Sequence, residues 1–295
     1  MDILITGGDG LLGRELSGRL CQMHSVHSLV HRPVTNPLTG VQYLEVDLSR
    51  RLDVSVLPKS IDTVIHLAQS SEFRNFPSGA RDTFDVNTGS TLDLLNYCHA
   101  ANGRKFILAS TGGIYEGQDA PLTEAGLLIP PSRIGFYFAS KLAAEMLAST
   151  YRPLFEVTVL RFFFMFGPRQ RQDMFLPRLI KRVLSGEAIQ ITNDQGIRVN
   201  PICVGDAALL VERLVTAPSP PVLNVAGPDI VSIREIGEAI GALAGTEVRY
   251  EAGAEAHDIV ADISTMLDYL PVTDLTPFTV SLREMVEHFS SERWR

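Results

Sequence analysis

The chain has 295 residues, of which 45% are apolar and 20% charged, and a formal net charge of −8 at pH 7. Those proportions exclude a disordered tail or a fibre, and the acidic balance excludes a surface that tracks nucleic-acid phosphates, which needs clustered Lys and Arg. The length exceeds that of a usual single domain, so a two-lobed molecule is expected.

Met1-Asp2 runs straight into Ile3-Leu4-Ile5 with no basic leader, and no apolar run is long enough to span a bilayer, so the expected location is the cytoplasm. Short apolar β-rich runs then recur at 3–6, 26–30, 43–46, 63–67, 106–109 and 157–163. Between them lie stretches with apolar residues at spacings of three and four, at 11–21, 83–101 and 136–151. Six strands with crossover helices predict a doubly wound, Rossmann-type α/β fold with a parallel sheet over residues 1–166. After Gly167-Pro168 the rhythm changes: a helix at 175–184, a strand at 188–192, a helix at 205–215, then Pro218-Ser219-Pro220-Pro221. Ser232 followed by Glu235 forms a capping box for a helix at 233–243, and a last helix covers 280–289. Segments 167–196 and 223–295 are expected to form a smaller, mostly helical substrate lobe over the carboxyl ends of the strands, with 197–222 returning to the first domain. Cys21, Cys98 and Cys203 are far apart and without C-x-x-C spacing, so core thiols are expected and no disulfide framework or metal site.

Gly7, Gly10 and Gly13 fall between the first strand and the first helix as G-x-x-G-x-x-G. Glycine allows the tight turn and lets the backbone N–H groups at Leu11, Leu12 and Gly13 approach a pyrophosphate at the helix N-terminus. An NAD enzyme of this fold carries an acidic residue at the end of the second strand, whereas here Val30 is followed by His31 and Arg32. The forked donors of Arg32 suit a ribose 2′-phosphate, which favours NADP over NAD.

Tyr137 and Lys141 are four apart in a helical pattern and so project from one face. A nearby ammonium favours the phenolate and makes a tyrosine a usable proton donor and acceptor. The fifth strand ends in Ser110-Thr111-Gly112-Gly113, which puts hydroxyls at the carboxyl edge of the sheet, to bond a substrate oxygen or to cap a turn.

With these residues the sequence resembles the extended short-chain dehydrogenase/reductase family, the group of nucleotide-sugar epimerases, dehydratases and ketoreductases. The glycine turn, Asp47-Leu48, His66-Leu67-Ala68, Val86-Asn87, Ser110-Thr111 with Tyr115, Tyr137 to Lys141, Leu160-Arg161, Gly167-Pro168 and Val204-Gly205-Asp206 match in order over nearly the whole chain. The resemblance implies that Tyr137 is the general acid/base, that Lys141 lowers its pKa and holds the nicotinamide ribose, and that Thr111 is the catalytic hydroxyl, with Ser110 as the neighbouring alternative. It also implies cofactor contacts at Asp47, Leu48, Leu67 and Ala68. Asn87 falls near the site, with a structural role as its alternative. Ser70, Tyr115, Phe164, Arg169, Phe175 and Arg198 are the candidates for substrate contact.

Two departures narrow the reaction. The 4,6-dehydratases of the family carry Asp-Glu directly after the Thr, and here those positions are Gly112 and Gly113, which disfavours elimination. Members that hold a nucleoside diphosphate commonly have Asn where this chain has Phe164, and a frequent diphosphate-binding Arg aligns with Val199, beside Arg198. Arg169, Arg171 or Arg178 would have to compensate. The expectation is an NAD(P)-dependent epimerase or oxidoreductase acting on a secondary alcohol or ketone of a nucleotide-linked sugar. A reductase for a non-nucleotide ketone and a non-catalytic NADP(H)-binding redox sensor stay open as alternatives. Phe138, Leu142, Met146 and Leu147 exceed one core-facing stripe, so the helices at 83–101 and 136–151 are expected to pair two copies as a four-helix homodimer interface.

Overall fold

The computed structural model describes residues 1–117 and 121–291. In chain order it begins β1 (Asp2–Thr6), α1 (Leu11–Leu20), β2 (Ser25–Val30), β3 (Val41–Glu45), β4 (Thr63–His66), α2 (Ala80–Phe84), α3 (Ser90–Ala100), β5 (Lys105–Thr111), α4 (Phe136–Thr150) and β6 (Glu156–Phe162). It continues with α5 (Phe175–Ser185), β7 (Ile189–Ile191), β8 (Arg198–Val199), α6 (Val204–Thr216), β9 (Val222–Val225), β10 (Val231–Ser232), α7 (Ile233–Ala244), β11 (Tyr250–Ala252), α8 (Ser264–Leu267) and α9 (Phe278–Ser290). Among the described residues no helix is long and apolar enough to cross a membrane.

The main sheet has the order β3-β2-β1-β4-β5-β6-β9, with parallel pairing from β3 through β6. Its strands read as unbroken apolar runs because helices cover both faces: Ile3, Leu4 and Ile5 are all fully buried. The order reverses between β1 and β4, where Thr6 lies opposite His66, so the crevice for a ligand opens at the carboxyl ends of these two strands. The doubly wound expectation therefore holds, with seven strands in place of six. The missed strand, β9, follows directly on the proline run that reads as a break. Pro221 still serves an edge, since its carbonyl accepts from Val159 N at 3.0 Å although it has no N–H to give.

The chain divides into two compact units, the first of residues 1–116, 127–162 and 208–223, the second of 117–126, 163–207 and 224–295. The expected return at 197 comes at 208 instead, because 198–199 pair with β10 and Ile259 in the second unit. Segment 117–126 also belongs there, where Leu122 bridges to Ala261. The second unit packs α5, α7 and α9 around Ile180, Ile236, Ile240, Leu282 and Met285. It also holds two small two-stranded sheets, β10-β8 and β11-β7; β7 is the strand expected at 188–192, and the other three strands are additions to the mostly helical expectation. Residues 292–295 of the expected lobe lie outside the described residues. The Ser232 capping box forms as expected: Glu235 N donates to Ser232 Oγ at 3.1 Å and Ser232 N donates to Glu235 Oε2 at 2.7 Å.

The expected helix at 83–101 is not continuous. A π turn, Asp85–Gly89, separates α2 from α3. The wider turn directs Asn87 inward between two partners described below, a use of π geometry typical of functional regions.

Candidate active site

The glycine turn is shaped for an anion. Gly7 has φ +68, which an L side chain resists, and a Cβ there would press on the Ala68 backbone nitrogen at 3.0 Å. A Cβ on Gly13 would lie 2.2 Å from Gly7 O, so the first turn of α1 can sit on the loop only as glycine. Among the described residues no side chain caps α1 at Gly10, and its first turn carries no acid. The amides of Leu11, Leu12 and Gly13 therefore keep their donor capacity for a ligand, aided by the helix dipole. This cradle fits the pyrophosphate of a dinucleotide.

Thr6 Oγ1 accepts from Leu67 N at 3.1 Å and from Ala68 N at 3.0 Å. Its own proton then goes to His66 Nδ1, 2.7 Å away. His66 is accordingly neutral and donates from Nε2 to Ser90 Oγ at 3.2 Å, and Ser90 donates to Val86 O at 2.6 Å. Burial and the Lys141 charge agree, pushing the His66 pKa down to about 3. His31 and Arg32 follow β2 on the surface, and Arg32 makes no ion pair among the described residues. Asp47 accepts from Ser49 N and Oγ and pairs with Arg50 at 3.3 Å; Leu48 is buried in the first unit's core.

Tyr137 stands in the first turn of α4, with Thr111 at the end of β5. The Thr111 hydroxyl accepts from Gly113 N at 3.1 Å and lies beside the Tyr137 hydroxyl. The Tyr137 hydroxyl also donates to Gln69 Oε1 at 2.8 Å. Its ring is flanked by Phe73 at 4.9 Å and Phe138 at 5.2 Å between centroids, and the Arg74 Cζ lies 4.8 Å from the Phe73 centroid. Burial raises the Tyr137 pKa, while Thr111 and Arg74 favour the phenolate. Lys141 Nζ, one turn further along α4, donates to Ala109 O at 3.2 Å. Burial lowers its pKa to about 8 against the opposing pull of Glu145, so the ammonium persists at neutral pH. In this structure the cation that acts on Tyr137 is Arg74, a residue the sequence reading had not singled out.

Beneath Lys141 lies a closed polar cluster. Arg161 grips Glu145, with NH2 2.7 Å from Oε2 and Nε 3.2 Å from Oε1. Ser110 donates its hydroxyl to Glu145 Oε1. Arg161 NH1 donates to Tyr115 Oη at 2.6 Å and its Cζ lies 4.8 Å from the Tyr115 ring centre. This corrects two expectations. Ser110 is buried with its proton committed to a carboxylate, and Tyr115 is buried under a guanidinium, so the hydroxyl that faces Tyr137 is Thr111 and not Ser110.

Asn87 and Ser70 are likewise structural ties. Asn87 accepts from Ser70 N at 3.1 Å and donates to Ser140 Oγ at 3.0 Å, and Ser70 donates to Asp82. With both residues buried and bonded, Ser70 is not free to contact a substrate. The dehydratase departure is built into the packing: a Cβ on Gly113 would come 2.3 Å from Phe138 Cε1.

The remaining candidates lie in the second unit. Arg198 points outward and pairs with Asp258, Nε to Oδ2 at 2.8 Å, while Val199 is fully buried, as strand alternation requires. Phe164, with φ +43, packs its ring on Phe175 at 4.8 Å. Arg169 is exposed, and Arg171 is paired with Asp173 at 2.9 Å. Phe175 and Arg178 line a cavity of about 280 Å³, together with Arg182, Gln190, Thr192 and Ile233.

Residues 3–226 match the family profile described as the NAD dependent epimerase/dehydratase family, and the chain belongs to that family. A UDP-glucuronate 4-epimerase of Thermodesulfobacterium geofontis (strain OPF15) is 31% identical over 195 residues, covering 65% of this chain. The match spans only 60% of that relative's own length. The protein YtcB of Bacillus subtilis (strain 168), named an uncharacterized UDP-glucose epimerase, is 26% identical over 301 residues, covering 93% of this chain and 94% of its own. The solved structure of MoeE5 in complex with UDP-glucose and NAD superposes with a TM-score of 0.82 at 28% identity, covering 98% of both chains.

The Glu145–Arg161 pair yields an expectation for stability. Arg161→Met strands a buried carboxylate and should cost about 3–5 kcal/mol in chemical denaturation. Adding Glu145→Leu should recover most of that loss, and an equal loss in the double variant would show that the pair stabilises the fold in its own right.

Proposed function

We propose that this protein is an NAD(P)-dependent epimerase or oxidoreductase acting at a secondary alcohol of a nucleotide-linked sugar. The observation that carries the reading is the grouping of Tyr137, Thr111 and Lys141 at the end of the sheet that also bears the glycine turn. A bound nicotinamide supplies a hydride acceptor and donor. Tyr137 takes the carbinol proton as the hydride departs and returns it when the hydride comes back. Thr111 bonds the same substrate oxygen, and the Lys141 ammonium holds the nicotinamide ribose. The names of the relatives favour epimerisation, and the glycines at 112 and 113 supply no acid or base for elimination. In the second unit the cavity offers the guanidinium groups of Arg178 and Arg182 beside the Phe175 ring, chemistry suited to a nucleoside diphosphate. The engagement of Arg198 by Asp258 favours the second reading, a reductase for a non-nucleotide ketone.

Assay with UDP-glucuronate and UDP-glucose tests this directly. Tyr137→Phe should lower turnover by about 10²–10⁴ while dinucleotide affinity changes little. Retention of more than half the activity would remove Tyr137 from the chemistry. Because Lys141 loses its proton near pH 8, cofactor affinity should fall as pH rises through that value. Lys141→Ala should flatten this dependence.

For the cofactor, Arg32, which makes no ion pair among the described residues, supports NADP, while MoeE5 was solved with NAD. NADP should bind more tightly than NAD in parallel titrations, and Arg32→Ala should abolish the difference. Equal affinities in the unmodified protein, or an unchanged ratio in the variant, would discard the preference.

We also assign a homodimer through α3 and α4. Phe84, Leu92 and Met146 are 47%, 40% and 64% exposed on α2, α3 and α4. Of the residues that first suggested the interface, Leu147 packs on its own core and Phe138 on Tyr137, which leaves Met146 and half-buried Leu142. Light scattering should give twice the 32.4 kDa chain mass. A mass that stays at the single-chain value as concentration rises would rule the dimer out.

A further inference from the structure

The loop after β4 reaches the acid/base tyrosine through Gln69. The Gln69 backbone sits between two pinned amides, Ala68 N on Thr6 Oγ1 at 3.0 Å and Ser70 N on Asn87 Oδ1 at 3.1 Å. Ser70 is further tied by its hydroxyl to Asp82. The Gln69 Cα is therefore held from both sides, and its side chain meets the Tyr137 hydroxyl at 2.8 Å. The same loop supplies Phe73 against the Tyr137 ring and Arg74 on Phe73. Tyr137 is thus clamped by the loop at its hydroxyl and at its ring face.

A primary amide differs from the other partners of Tyr137 because it carries an acceptor and a donor on one planar group. Through Oε1 it accepts from the neutral phenol, as observed. Turned over by half a rotation, it donates from Nε2 to the phenolate. A reaction in which the proton is taken and returned requires Tyr137 to change state twice in each cycle. We propose that Gln69 is a positioning residue for this proton transfer, holding the Tyr137 hydroxyl in both protonation states by accepting from the phenol and donating to the phenolate. The inference rests on Tyr137 as the proton-transfer group.

The groups that bear on the Tyr137 charge are Arg74 from the loop and Thr111 from β5, and Lys141 stands one turn further along its own helix. Behind Lys141 stand His66 of β4, which is neutral, and Glu145, which is paired with Arg161. Against this background the sign of the Gln69 contribution follows from bond strength. A hydrogen bond to a charged oxygen is roughly twice as strong as one between neutral groups, so an amide free to do both favours the phenolate on balance. An amide confined to accepting would favour the phenol.

Titration of the phenolate absorbance, taken as the difference between each protein and its Tyr137→Phe counterpart, isolates Tyr137 without any substrate. Gln69→Met removes donor and acceptor together while keeping the length of the side chain, and the midpoint should move to higher pH. Gln69→Glu, which accepts but cannot donate and brings a like charge, should move it further, by about one unit or more. Dinucleotide affinity should stay within about twofold in both, which shows that the turn and crevice are intact. A midpoint that falls or stays fixed in Gln69→Met overturns the proposal, as does a fixed midpoint in Gln69→Glu. Failure of the functional reading is separate: Tyr137→Phe that keeps its turnover would end that reading while leaving the titration result as it stands.

Discussion

One hydroxyl sets the geometry on which the crevice depends. Thr6 Oγ1 receives two backbone N–H groups from Leu67 and Ala68 and gives its proton to His66, so the carboxyl ends of β1 and β4 are tied at the point where the sheet reverses. The tie places the Ala68 nitrogen within 3.0 Å of where a Gly7 side chain would begin, which shapes the turn. It also fixes the backbone from which Gln69 emerges. Through His66 and Ser90 the same chain of bonds runs on to Val86 in the π turn, and so to Asn87 and the Ser140 side of α4. The glycine turn, Tyr137 and the loop after β4 are thus registered against each other by directional bonds within one unit.

The buried charges beneath this frame are arranged in an order that the neutral His66 makes possible. Were His66 protonated, it would stand as an uncompensated cation beside Lys141, and its bonds to Thr6 and Ser90 would lose their direction. Kept neutral, it leaves Lys141 as the one cation of that buried pair. Glu145 supports that ammonium but is itself gripped by Arg161, so the carboxylate is held at a fixed distance from Lys141 instead of closing on it. Two cations and one anion then lie near the sheet end, a balance that favours a polyanionic ligand at a protein whose formal net charge is −8.

Period and spacing disclosed the sheet, the glycine turn and the tyrosine–lysine pair, because each depends on contacts within a few residues or on a strand rhythm that repeats. The parts that were hidden depend on long-range partners. Asp85–Gly89 reads as ordinary helix in sequence, and only the bonds of Asn87 to Ser70 and Ser140 show why the turn widens. Ser110 and Thr111 are indistinguishable by type, and a carboxylate on α4, 35 positions away, separates them. Gln69 and Arg74 lie in a loop with no periodicity, so nothing local marks them. The three prolines and one serine at 218–221 show the converse error, in which a local signal of chain reversal hides the strand β9 that follows it directly.

The glycines that follow Thr111 are tied into the packing around Tyr137. Elimination needs a carboxylic acid and a carboxylate next to Thr111, and the positions available are Gly112 and Gly113. Gly112 is buried, and a Cβ on Gly113 would meet the Phe138 ring at 2.3 Å, so that ring would have to move to admit a side chain. Phe138 is in turn one of the two rings that flank Tyr137, so making room for an acidic side chain at 113 would disturb the packing of that tyrosine. The two roles compete for one volume. A fold that keeps Phe138 against Tyr137 leaves position 113 to glycine, so the acid/base pair that loss of water requires has no side chain there to supply it.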